Sequence, residues 1–228
     1  MKLVSIRSIA FAAATLAVAA SANALTIDWT KLQGTSTLAF SDAAISLFQA
    51  NGGKLAPLGA TSPVGTSGWS FSLPITSIEI NGALKIASGQ ASGSALDIVR
   101  RTVDEDTGEV IKANIVLANF TLDYINKKVL ADTTASGTTK PQFAVYTFNA
   151  ATPLALKYKF PLTVTGHEVL DKLVLTPGAV DVFASSLGLS GDAVLALVRS
   201  TEFGTLTQDI STNARKPAAS KTPYVPAP

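Results

Sequence analysis

The chain has 228 residues, with 18 Lys and Arg against 16 Asp and Glu, one His, one Met and no Cys. Without Cys there is no disulfide framework, and a lone His cannot build the common zinc sites, which draw on three or four side-chain ligands. Removing Lys2 and Arg7 with a leader leaves 16 charges of each sign, so no basic excess argues for nucleic acid or an anionic membrane.

The leader itself is the clearest sequence feature. Lys2 and Arg7 precede an apolar run over Ile9–Ala20, and Ala22-Asn23-Ala24 offers small residues for cleavage. This reads as a signal peptide over residues 1–24, because so short a run cannot cross about 30 Å of hydrocarbon. The expected product is an exported protein, periplasmic or extracellular, with no integral membrane segment. It comprises one domain over 25–214 and a disordered Pro-rich tail over 215–228, which carries Pro217, Pro223, Pro226 and Pro228.

The domain reads as mainly β, an antiparallel β-sandwich-like fold with two or three short helices. Ser41 caps a first helix that runs through Phe48 and stops at Asn51-Gly52-Gly53. Phe71, Leu73, Ile75, Ile78 and Ile80 then alternate as strand, and Asn81-Gly82 signals a hairpin. A three-residue turn, Asn81-Gly82-Ala83, would pair Ile80 with Leu84 and Ile78 with Ile86, giving one apolar face.

A more solvated hairpin is expected around Asp104-Glu105-Asp106-Thr107-Gly108, between strands over Ser94–Arg101 and Glu109–Leu117. Val116 to Tyr124 alternates as a half-buried strand. Asn126-Lys127 turns it into Val129–Thr133, and strand-like pattern continues over Gln142–Phe148 and Leu154–Val164. Thr176-Pro177 opens a second helix that ends before Gly188, and Ser190 or Asp192 starts a third that runs to about Arg199.

Two segments repeat: Leu38-Ala-Phe40-Ser41 with Ala44, Ile45, Leu47 and Phe48, and Leu173-Val-Leu175-Thr176 with Ala179, Val180, Val182 and Phe183. Each is a strand, a capping hydroxyl and an amphipathic turn. They are expected to close opposite ends of one sheet system.

Chemistry-bearing residues are few. His167, after Gly166, is a candidate general base, haem ligand or pH sensor, but its commoner role is as a turn residue. No Gly-x-Ser-x-Gly or Ser-x-x-Lys sequence provides a serine nucleophile. Asp104, Asp106 and Gly108 echo part of a calcium loop, but Glu109 is too close to supply the closing bidentate ligand. Glu79 and Asp123 sit on polar strand faces and could pair for glycoside hydrolysis only by meeting in space. Trp29, Trp69, Tyr124, Tyr146 and Tyr158 could stack on a sugar or a porphyrin. Asn119-Phe120-Thr121 matches a glycosylation sequon. No catalytic or metal set emerges, and the candidates for a cofactor such as haem are His167, Tyr146 and Tyr124.

The order Leu73-Pro74-Ile75-Thr76, Ser92-Gly93-Ser94-Ala95-Leu96, Val116–Asp123, Val129-Leu130-Ala131-Asp132, Val145-Tyr146-Thr147-Phe148 and Leu173–Pro177 resembles secreted bacterial β proteins related to the HtaA-type, haem-transport-associated domain. That resemblance implies a β-sandwich-like fold outside the cell and, for some members, haem held by a Tyr with a His nearby. Ser92-Gly93-Ser94 stands where that group has its Gly-His-type motif, so no residue carries over. The reading is an exported non-catalytic β module, binding or structural and adhesive, with a cell-surface or extracellular ligand. The alternatives are a haem-binding or haem-transport-associated protein and a carbohydrate-binding or glycoside-hydrolysing one.

Overall fold

The computed structural model describes residues 24–83, 85–104, 106–160 and 163–227. The expected signal segment, apart from Ala24, lies outside them, as does Leu84 of the expected hairpin face.

The strands are β1 (Leu25–Asp28), β2 (Leu32–Phe40), β3 (Gly53–Gly59), β4 (Ser62–Pro63), β5 (Ser70–Pro74), β6 (Ser77–Ile80), β7 (Ile86–Val103), β8 (Val110–Asp123), β9 (Lys128–Ala135), β10 (Thr138–Lys159), β11 (Thr163–Leu175) and β12 (Gly204–Ala214). Helices α1 (Asp42–Ala50), α2 (Pro177–Leu187) and α3 (Asp192–Ser200) complete the described elements. All strand pairs are antiparallel, in the order β1-β6-β7-β8-β9-β10-β11-β12-β2-β5-β4, with β3 also on β7. The fold is thus mainly antiparallel β with three short helices, as expected. The two walls that a sandwich would pack are here opposite sides of one curled sheet.

The curl is joined at a kink. β5 pairs with β2, and β6 pairs with β7. Between β5 and β6, the Ile75 N–H donates to Gly34 O at 2.9 Å and the Thr76 N–H donates to Gln90 O at 2.8 Å. One short segment therefore stitches both margins of the sheet into a barrel-like wall. Along β2 the side chains of Ser36, Leu38 and Phe40 are buried while those between them are only partly covered. This is the period of two that puts alternate residues inside a curled sheet.

β11 and β2 both flank β12 antiparallel, so they run parallel to each other and leave the barrel at the same end. The repeated corners follow from this. Ser41 caps α1 by accepting the Ala44 N–H at 3.1 Å, and Thr176 caps α2 by accepting the Ala179 N–H at 3.2 Å. Gly188 closes α2 with φ of 63°, the left-handed turn that glycine adopts without strain. The expectation that the two corners close opposite ends is corrected. Phe203 links them, its N–H donating to Leu173 O at 2.6 Å and its carbonyl accepting from the Ser41 N–H at 3.0 Å. Phe48, Phe183, Leu187, Val198 and Phe203 are buried at this end, and the helices stopper it.

Three other expectations change. The Asn81 hairpin spans five residues, with Ile80 opposite Ile86 and Ile78 opposite Gly89. Asn81 Oδ1 accepts the N–H groups of Ala83 and Lys85 at 3.0 and 3.1 Å, which satisfies a wider loop, and the register shift after Glu79 resets the phase. Ile78, Ile80 and Ile86 still pack together, with Trp29 and Ile75. Residues 154–164 are not one strand, because β10 ends at Lys159 and β11 begins at Thr163. His167 sits within β11 rather than in a turn. Gly166 serves packing there, since a Cβ on it would meet Ile210 Cγ1 at 2.8 Å and Leu156 Cδ2 at 3.0 Å.

The last residues also differ from the expected disordered tail. From Arg215 to Ala227 the chain has no helix or strand, yet it lies on the fold. The Arg215 and Ala219 N–H groups donate to Lys31 O and Thr30 O at 2.8 and 2.9 Å. The Arg215 guanidinium donates to Ile75 O and Gly34 O, at the kink that closes the barrel. Lys221 pairs with Asp28 at 2.8 Å and helps hold that exposed carboxyl below its ordinary range. Composition argues for disorder only when a segment lacks partners, and here backbone carbonyls supply them.

Candidate ligand site in the open end of the barrel

Among the described residues, nothing fills the barrel end away from the helices. Inward residues from β2, β5 to β12 enclose a chamber of about 50 Å³, which opens into a mouth of about 450 Å³. The mouth volume lies in the ~300–1,000 Å³ range of small-molecule sites, whereas the chamber alone has room for only a few water molecules. Ile78, Ile86, Tyr124, Leu154, Glu168 and Ile210 line both spaces and form the ring between them. Deeper in lie Leu73, Phe120, Leu122, Val129 and Leu173; nearer solvent lie Ile27, Ile80, Leu156 and Val164.

Small residues make this space. Gly89 sits across from Ile78 and Leu122, yet a Cβ built on it would meet no atom within 4 Å. Nothing in its backbone requires glycine, so the residue leaves a gap where its neighbours contribute branched side chains.

Polar side chains also face this apolar interior, among them Ser36, Tyr124, Tyr146, Glu168 and Gln208. Tyr124 donates its hydroxyl to Glu168 Oε2 at 2.6 Å, and the Leu154 N–H also bonds the Glu168 carboxyl. Burial pushes the Glu168 carboxyl above its ordinary value, partly offset by those two bonds. Burial raises the Tyr124 phenol still further from its usual range, and the charge of Glu168 adds to the effect. Gln208 Nε2 donates to Ser36 Oγ at 2.7 Å, which settles that buried pair. Tyr146 is buried against Phe203, and its hydroxyl has no hydrogen-bond partner among the described residues. An unpaired buried hydroxyl costs free energy, so the Tyr146 hydroxyl is an unused donor and acceptor on the chamber wall.

The candidates from the sequence separate across the wall. Tyr124 and Tyr146 face the same chamber. His167 lies on the outer surface, its side chain 53% exposed and its Nδ1 2.8 Å from Asp209 Oδ1. Because Glu168 points inward, strand alternation sends His167 outward, and no Tyr–His pair for haem is assembled. Glu79 bonds Ser88 at 2.8 Å and Asp123 bonds Asn126 at 2.6 Å. Glu79, Ser88 and Asp123 lie abreast on neighbouring strands, which puts the two carboxylates about 10 Å apart by strand spacing. Asp104 accepts the Asp106 and Thr107 N–H groups at its hairpin tip. Trp29 is buried with Ile75 and Ile78, whereas Trp69 stacks on Phe48 at 5.9 Å, so the two tryptophans form no common platform. Among the described residues no cluster of three or more His, Asp or Glu could hold a metal.

Asn119 is fully engaged on the outer wall. It has φ of 53°. Its Oδ1 accepts from the Gly93 and Tyr224 N–H groups, and its Nδ2 donates to Asp132 and to Tyr224 O, at 2.8–3.0 Å. The side-chain amide thus pairs with Tyr224 as a strand backbone would, and the tail clamp occupies the sequon.

Glu168 escaped the sequence reading although a signal was present. Val164, Gly166, Glu168 and Leu170 share one strand phase, so the carboxylate stands on the apolar side.

Comparisons with protein-family models, with curated proteins and with solved structures give no match.

Proposed function

We propose that this chain is an exported, non-catalytic binding module that takes a small, largely apolar molecule into the open end of its barrel. The observation that carries this reading is a continuous apolar mouth and chamber whose ring holds one buried polar pair, Tyr124–Glu168. An apolar pocket with a few convergent polar groups is the usual form of a small-molecule site. Apolar surface supplies affinity there, and the polar groups fix orientation. Glu168 and Tyr146 suit a guest whose single polar end carries both a hydrogen-bond donor and an acceptor.

The test is titration with an environment-sensitive apolar fluorophore, beside the variant Gly89→Val. Saturable enhancement by the native chain, weakened about tenfold or more by Gly89→Val, supports the reading. That weakening matches the loss of roughly 1.4 kcal/mol of apolar contact. Unchanged binding in Gly89→Val, or no saturable binding, rejects it. A Soret-band titration on the same samples discriminates haem; a stoichiometric Soret shift would replace the apolar-ligand reading with a haem-binding one.

A further inference from the structure

The rim of the open end carries exposed apolar residues and cations together. β10 runs beyond the mouth and presents Leu156 and Tyr158 on one strand phase, and Phe160 follows in the turn after it, at 62%, 65% and 84% exposure. Lys157 and Lys159 occupy the other phase. Leu156 and Lys85 both line the mouth, so the apolar row continues the barrel's inner wall out into solvent. Ile125 and Lys127 are exposed in the turn that follows the mouth-lining Tyr124. The segments 81–85, 124–128 and 155–162 contain five Lys and no Asp or Glu. The hairpin tip at the opposite end also exposes Val103, Val110 and Ile111, but Asp104, Asp106 and Glu109 adjoin them, with Arg101 and Lys112 paired just behind. Net neutrality, which gave no reason to expect an anionic partner, hides this division between the two ends.

We infer that the open end docks onto an anionic lipid surface, with Leu156, Tyr158 and Phe160 entering the interface and Lys85, Lys127, Lys157 and Lys159 meeting the headgroups. Aromatic and aliphatic side chains flanked by Lys fit the boundary between headgroups and acyl chains. Each Lys near such a surface adds attraction of about fivefold. Charge complementarity selects lipid over a second copy of the chain, because two lysine-rich rims would repel. The inference rests on the rim alone and does not depend on what the lumen holds.

The experiment is co-sedimentation of the chain from Leu25 onward, which retains every described strand and helix, with phosphatidylcholine vesicles with and without phosphatidylglycerol. Partition into the anionic vesicles is expected, reduced at least tenfold by Lys157→Ala with Lys159→Ala and lost in Phe160→Asp. Val110→Asp at the opposite end should leave it unchanged, and all variants should keep the native circular dichroism spectrum and melting temperature. Absence of partition, insensitivity to Phe160→Asp or to the lysine pair, or equal loss in Val110→Asp would overturn the inference. So would light scattering that shows a dimer broken by Phe160→Asp, because the rim would then be a self-interface.

Discussion

The two ends of the barrel are built from the same alternating strands and finish differently. At the helix end, Phe48, Phe183 and Phe203 fill the space between the walls. Arg100 ties the stopper down by donating to Asn51 O, Leu187 O and Gly188 O at 2.6–3.1 Å. At the open end, inward positions are taken by Gly89 and aliphatic residues, and no described helix covers them. Inward apolar residues become a core where large rings and a plug meet them and a cavity where small residues leave them apart. The large buried rings of the stopper thus close one end, and the other keeps an open apolar mouth.

The largest expected effect follows from that contrast. Phe203→Ala deletes a buried ring packed on Phe48 and Tyr146 at 6.1 and 5.7 Å. It should destabilise by about 3–5 kcal/mol, read by denaturant unfolding. Leu156→Ala at the open lip should cost under about 0.5 kcal/mol. Similar losses at the two ends would erase the distinction.

Asn119→Ala comes next. It orphans the Gly93 and Tyr224 N–H groups and places Ala at a positive φ. It should cost about 2–4 kcal/mol. Removing residues 215–228 should also lower the melting temperature, since the clamp and the Arg215 bonds at the kink go together. An unchanged melting point in the truncated chain would show that the tail contributes nothing.

Glu168 sharpens the comparison through pH. Burial raises its folded-state pKa above the ordinary 4.5, so the folded chain holds this proton more tightly than the unfolded chain does. Its contribution to stability is therefore fully present below about 4.5 and is lost as pH rises through the raised value. Thermal melts of Glu168→Gln across that window should lose this fall and should exceed the native chain at neutral pH. A native slope retained by the variant would assign the effect elsewhere.

The smallest effect is at Gly89. Gly89→Val has room and a β-compatible backbone, so it should be neutral or stabilising by up to ~1 kcal/mol even as it fills the chamber. A marked loss of stability would mean that the wall cannot accept a side chain there.

Much of this architecture was legible in the sequence, because it is local. The capping hydroxyls of Ser41 and Thr176, Pro177 at the start of a helix and the alternation from Val116 to Tyr124 each act over a few residues. The places that misled are settled by distant partners. The tail depends on Lys31, Thr30 and Asn119, which no composition rule can see. The five-residue loop is the exception: it is local, and depends on the Asn81 side chain and on the register shift between Glu79 and Ile80, neither of which shows in the alternation. β12 was not recognised because Gln208 stands on its buried phase, paired with Ser36 of β2. Half of the candidate site was in view, since Tyr124 and Tyr146 were singled out. Glu168 was hidden beside the more conspicuous His167.

The account turns on whether the open end, and not the plugged one, receives a guest. Methyl-resolved nuclear magnetic resonance during titration with an apolar probe addresses this directly. The account expects saturable shifts at Ile78, Ile86, Val164 and Ile210, with Val180 and Val198 at the helix end unmoved. Shifts centred on Val180 and Val198, or scattered without saturation, would contradict it.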